Sequence, residues 1–214
     1  MRQYTSRRAE KCLTQNVKKQ FEELQSLLER AMALQTSMVL FEWDDETLAP
    51  KGAVEHTARV IGSLSEQYQE ILASMRFKEL LDVCQKAEKE NAGVFDEVQS
   101  AILREAAEEQ ERLSCIPPEE YRAYAELTAR ATGIWTRARE KNVFASFAPV
   151  LKEIISYQKK FAAYRAKPGQ KLYDVMLDTY EKGFNMEMLD PFFELMKGKI
   201  VPLLKESAER SKTV

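Results

Sequence analysis

The chain has 214 residues, 44% of them hydrophobic and 31% charged, with a net charge of −2. That length holds one large domain or two small ones, and so balanced a charge draws the protein neither to nucleic acid nor to an anionic membrane. Gly and Pro number only seven each, and abundant Leu, Ala, Glu, Lys and Gln point to helix, because these residues lose little entropy there.

Residues 1–14 read as a flexible N-terminal tail, locally basic at Arg2, Arg7, Arg8 and Lys11 but without interleaved aromatics. Met1 to Lys19 lacks the apolar core of a secretory signal. Apolar residues then recur at helical spacing from Val17 to Phe41 (Phe21, Leu24, Leu28, Ala31, Leu34, Met38), and Pro50-Lys51-Gly52 stops that helix. A second starts near Ala53, with a heptad-like seam of Val54, Ala58, Ile61, Tyr68, Leu72 and Met75 in which Ser65 fills the polar slot. Phe77 to Ala87 makes a short helix. Asn91 is placed to cap a longer one that runs to about Leu113 with a narrow stripe of Val94, Val98 and Ile102.

Pro117-Pro118-Glu119-Glu120 opens the next helix, since Pro is tolerated where the N–H is free and acids face the dipole. It continues through Tyr121, Tyr124, Leu127, Ala131 and Trp135 and ends at Lys141-Asn142. Another runs from Phe144 to Phe161 and stops before Lys167-Pro168-Gly169. Gly183 ends the helix that carries Tyr173 to Glu181, and Asn185 caps the last one, with Leu189, Phe192, Phe193, Met196, Ile200 and Leu203 on its buried side and Pro202 bending it. No alternating strand pattern of useful length appears. The expected fold is all-α: about seven or eight mostly antiparallel helices in one elongated domain over 15–214.

Few residues offer chemistry. Cys12, Cys84 and Cys115 are odd in number and form no CxxC pair, so reduced thiols in a cytoplasmic protein are expected. No apolar run reaches the ~18 residues of a membrane span. Asp44, Asp45 and Glu46, between Trp43 and Thr47, read as structural, with Trp43 packing and Asp44 or Thr47 capping, because neighbours two apart on a helix diverge. Asp174, Asp178 and Glu181 stand at i, i+4 and i+7 and share a face, a spacing suited to acid–base work or metal binding. No His, nucleophile or second ligand set accompanies them. The preferred role is hydrogen bonding by Asp174 and Asp178 to backbone or Arg beside buried Tyr173 and Tyr180. His56, the single histidine, has Gly52, Ala53, Arg59 and Val60 at its helical neighbour positions, none a metal ligand, and reads as solvated or capping. The chain is therefore expected to hold no catalytic, cofactor-binding or metal-binding residue.

Three ordered stretches carry a family resemblance. The first is Phe41-Glu42-Trp43-Asp44-Asp45-Glu46-Thr47-Leu48-Ala49-Pro50-Lys51-Gly52-Ala53. The second runs from Ile134-Trp135 through Phe144-Ala145-Ser146-Phe147-Ala148-Pro149 to Leu151. The third is Leu172-Tyr173-Asp174-Val175-Met176-Leu177-Asp178-Thr179-Tyr180-Glu181-Lys182-Gly183, followed by the segment from Leu189 to Leu204. Together they resemble the N-terminal half of the Taq-type thermostable carboxypeptidases, a family of helical metallopeptidases. Thr57 and Val60 stand where that family usually has Arg and Gln, and Tyr180-Glu181-Lys182-Gly183 departs from its Tyr-Glu-Pro-Gly.

The resemblance implies a parent that removes C-terminal residues from peptides with a divalent metal, Zn or Co, held by an HExxH helix and a downstream Glu. With one histidine this chain cannot contain that motif. It implies that the chain is a non-catalytic N-terminal part that shapes the substrate groove, with peptide substrate, a C-terminal catalytic half and a second copy in a homodimer as expected partners. The alternative is a self-contained helical protein-interaction module without peptidase activity.

Overall fold

The computed structural model describes residues 2–50, 52–91 and 93–211, with side chains from residue 15 onward. The expected tail over residues 1–14, and Cys12 within it, lies outside the described side chains. Among the described residues there are eight α-helices, one 3-10 turn and no strand: α1 (Arg2–Thr47), α2 (Val54–Leu72), α3 (Met75–Glu90), α4 (Glu97–Ser114), α5 (Pro118–Glu140), the turn Phe144–Ser146, α6 (Ala148–Arg165), α7 (Leu172–Tyr180) and α8 (Met186–Arg210). The fold is all-α. It divides into two units, Met1–Tyr157 and Gln158–Val214.

In the first unit α2 is the central element, packed on α1 and α5 and touching α3 and α4. Its core joins Phe21 and Leu24 of α1 to Leu72, Phe77, Leu80, Cys84, Leu103 and Leu113. The Phe21 and Phe95 rings meet at 4.9 Å between centroids, bringing the α3–α4 loop under α1. The α1 stripe weakens along the helix: Phe21, Leu24 and Ala31 are buried, whereas Phe41 is exposed.

Several boundaries differ from the sequence expectation, those around α3 and α4 most of all. Met75 begins α3 and is exposed instead of closing the α2 seam, because Ser74 breaks the helix there, accepting from the Phe77 N–H at 3.1 Å. Asn91 ends α3 rather than capping α4. The α4 cap is Asp96, whose carboxylate accepts from Gln99 N–H at 2.8 Å while the Gln99 side chain accepts from Asp96 N–H at 3.0 Å. That reciprocal box satisfies two donors where Asn91 offers one side-chain acceptor. The helix start moves by several residues, and the buried stripe becomes Leu103, Ala106 and Leu113, leaving Val98 exposed.

The α2–α5 contact is close at Gly62. A Cβ there would lie 2.8 Å from Glu126 Oε1 and 3.0 Å from Cδ. Arg122 of α5 bridges this seam, donating to Glu66 at 2.8 Å and to Glu126 at 3.1 Å. Asn142, at φ 53, takes the left-handed position after the Lys141 cap of α5, a conformation Asn tolerates.

The second unit has a thinner core: Phe161, Ala162 and Val175 are its buried hydrophobic residues. Asn185 caps α8 as expected, accepting from Met188 N–H at 3.0 Å.

Candidate functional site

The α7–α8 turn is where the sequence places its carboxylates, and the structure separates them. Asp174 and Asp178 are on α7, but that helix ends at Tyr180, and Glu181 takes an extended conformation at its cap, φ −143 and ψ 107. Glu181 therefore leaves the shared face. Asp178 accepts from Gly183 N–H at 2.8 Å, and Asp174 accepts from Met186 N–H at 2.9 Å. Gly183 is at φ 82, a conformation open to glycine, and it turns the chain so that both donors reach back to α7. The two carboxylates fasten the turn and set the direction of α8. Tyr173 and Tyr180, expected beside them as buried, are both exposed.

What this turn presents is α8, a 25-residue helix with no buried residue. Its expected buried side is exposed: Phe192 is 52% accessible, Phe193 51% and Leu203 65%, with Met196 and Ile200 also open. At 3.6 residues per turn, Phe192, Met196, Ile200 and Leu203 fall along one stripe, flanked by Leu195 on one side and by Phe193 and Leu204 on the other. The band takes up roughly half the helix circumference. The Phe192 and Phe193 rings meet edge to face at 5.5 Å. Lys199 is the charge that falls within the band, and its long stem can lie along apolar surface with the ammonium in water. Lys197 and Glu194, on the other side, pair with each other at 2.8 Å. An apolar band this wide is the kind of helix face that packs against another surface.

The remaining candidates hold no site. Trp43 is exposed, and neither Asp44 nor Thr47 caps a helix: both lie in the last turn of α1, where Thr47 Oγ1 donates to the Trp43 carbonyl at 2.6 Å. The α2 cap is Ala53, which has no side chain to accept with. His56 is exposed in the first turn of α2. Cys84 is buried, and burial pushes its thiol up to about 11. Cys115 is exposed.

Buried Gln69 has no counterpart in the sequence reading, and partly buried Tyr68, expected as a seam residue, carries a polar contact the sequence did not indicate. Gln69 is fully buried on α2 and donates to the carbonyls of Leu113 at 3.1 Å and Ile116 at 2.6 Å, fixing the end of α4, while its Oε1 meets no partner. Tyr68 donates to Glu109 at 3.0 Å, and Glu109 also accepts from Arg112 Nε at 2.9 Å. Burial first, then the Glu109 charge, pushes the Tyr68 phenol far above its usual value. Burial raises Tyr121 nearby as well. Gln69 and Tyr68 tie α2 to α4 and to the loop that follows it.

Among the described residues no three His, Cys, Asp or Glu side chains gather as a metal would need. With His56 exposed and Asp174 and Asp178 committed to backbone N–H groups, the donors among the described residues do not fit a catalytic metal. No helix among the described residues is long and apolar enough to cross a membrane.

The described residues thus form an all-α fold whose last helix carries an exposed apolar band. The family model described as Carboxypeptidase Taq (M32) metallopeptidase matches residues 23–214, and the chain belongs to that family. It is 34% identical over 184 residues to carboxypeptidase 1 of Bacillus subtilis, covering 86% of this chain and 36% of that relative. The crystal structure named BsuCP superposes with a TM-score of 0.82 at 32% identity, covering 88% of this chain and 37% of that one. Metallocarboxypeptidase 1 of Trypanosoma cruzi gives 0.73 at 26% identity, over 91% of this chain and 38% of that one. The chain thus spans a little over a third of the length of the relatives it matches.

Proposed function

We propose that this chain is the non-catalytic N-terminal helical part of a metal-dependent carboxypeptidase, and that it shapes the groove from which the parent releases C-terminal amino acids of peptides. The observation that carries this reading is α8. The family match continues through it to the last residue, yet its apolar band is open. In the parent a C-terminal catalytic half supplies the HExxH ligands, the divalent metal (Zn or Co) and the cover for that band. A metal bound there would supply Lewis-acid polarisation of a carbonyl and a more acidic water, and none of the described residues of this chain would hold it. This chain's own contribution is wall and position, with the closed core of the α1–α5 helices as a fixed surface for the peptide. Reduced thiols are consistent with a cytoplasmic site of action.

A second reading, a self-contained interaction module, draws on the closed core of the first unit, in which Phe77, Leu24, Leu103 and Leu113 are almost wholly buried. The two readings separate experimentally. The purified chain with Zn²⁺ or Co²⁺ is expected to leave peptide C-termini untrimmed, and metal-dependent release of C-terminal amino acids would overturn the proposal. The DNA downstream of Val214 discriminates further. An open reading frame encoding HExxH supports the carboxypeptidase part, and a native in-frame stop supports the module.

A further inference from the structure

We infer that α8 is a docking helix able to bind its partner in trans, the partner being a separately supplied polypeptide that corresponds to the part of the family's fold outside the matched segment. This rests on the proposed function and adds to it that no covalent link is needed.

Three observations support this occupant. The band is apolar, and the Glu194–Lys197 pair on the other side of the helix is already made. The partner surface it fits is thus itself apolar, like a protein interior cut in half, rather than an acidic peptide or a nucleic acid. The helix is also set before any partner arrives. Asn185 caps its first turn, Asp174 holds Met186 N–H and Asp178 holds Gly183 N–H, so its direction is fixed by hydrogen bonds internal to this chain. A preset helix loses less freedom on binding. Finally, more than half of the Bacillus subtilis relative lies outside the match, enough polypeptide to form a full covering surface.

The test co-expresses the tagged 214-residue chain with the part of the Bacillus subtilis relative outside the matched segment, as two polypeptides and, separately, joined as one. Readouts are co-purification on the tag and metal-dependent release of C-terminal amino acids. Co-purification of the two polypeptides is expected. The double variant Phe192→Asp, Ile200→Asp should lower it at least tenfold with the far-UV circular dichroism unchanged. Val98→Asp, at an exposed position of α4, should leave it intact. No co-purification overturns the inference, as does purification of the chain as a homo-oligomer sealed through α8 that excludes the added polypeptide. Activity of the joined form without association of the separate pieces defeats docking in trans and leaves the proposed function standing. Release of amino acids by the 214-residue chain alone removes the proposed function.

Discussion

Gly62 shows how one missing side chain sets the distance between two helices. On propensity alone Gly62→Ala would stabilise α2 by roughly 1 kcal/mol. The added Cβ, however, would press on the Glu126 side chain, whose carboxylate is held by both Arg122 and Arg130. Overpacking of this kind costs about 1–3 kcal/mol, so a net loss of about 1 kcal/mol is expected in urea unfolding. Adding Glu126→Ala removes the obstruction, and the double variant should be at least as stable as Glu126→Ala alone; simple additivity would refute the account. Cys84 gives a prediction in pH. Burial raises its pKa from 9.0 to about 11. The unfolded chain therefore loses this proton first. The stabilisation is fully present below pH ~9 and is lost as pH rises through the folded value. Stability should fall more steeply over that alkaline window in the wild type than in Cys84→Ala. At neutral pH iodoacetamide should modify exposed Cys115 well before Cys84, as read by peptide mass mapping. Equal rates at the two thiols would contradict the burial.

At the scale of elements, the caps decide where helices begin, and their cost can be measured. Asn185→Ala removes the acceptor for Met188 N–H and should destabilise the start of α8 by about 1 kcal/mol. Asp174→Ala releases Met186 N–H by a separate route. Both variants should speed amide hydrogen exchange at residues 186–188 and leave α2 unaffected; unchanged exchange there would mean the turn is held by other contacts. The same elements show what the sequence made legible. Local rules found the α5 start at Pro118 and the α8 cap at Asn185, because each depends on residues within one turn, whereas α7 stops at Tyr180, before the expected Gly183. Asn91 is the expected cap, and Asp96 takes its place because Gln99 closes the box and Phe95 drops into the core against Phe21. The α8 stripe told which side was apolar but not whether anything covers it. Gln69 left no mark, since Gln on a helix is ordinarily solvated, and its carbonyl partners lie more than forty residues away. The family, by contrast, was readable, because its motifs are local and ordered.

At the scale of the whole molecule, burial is unequal between the two units. The first has a connected core, whereas the second buries Phe161, Ala162 and Val175 and leaves α8 open. Monomers rarely expose apolar patches beyond a few hundred Å². At about 25 cal/mol per Å², covering such a patch offers several kcal/mol before the costs of association. Without another partner, the surface at hand is a second copy of the same band, so the isolated chain is expected to self-associate at micromolar concentration. Sedimentation velocity should show a coefficient that rises with concentration. Phe193→Asp or Ile200→Asp should return the chain to monomer, because a carboxylate in the centre of an apolar contact loses its hydration without gaining a partner. Val98→Asp should not, since α4 lies in the other unit. A chain that stays strictly monomeric, with α8 variants behaving like wild type, would mean that this band drives no association. The second unit would then be sufficient as it stands, and the self-contained module would become the better account of the protein.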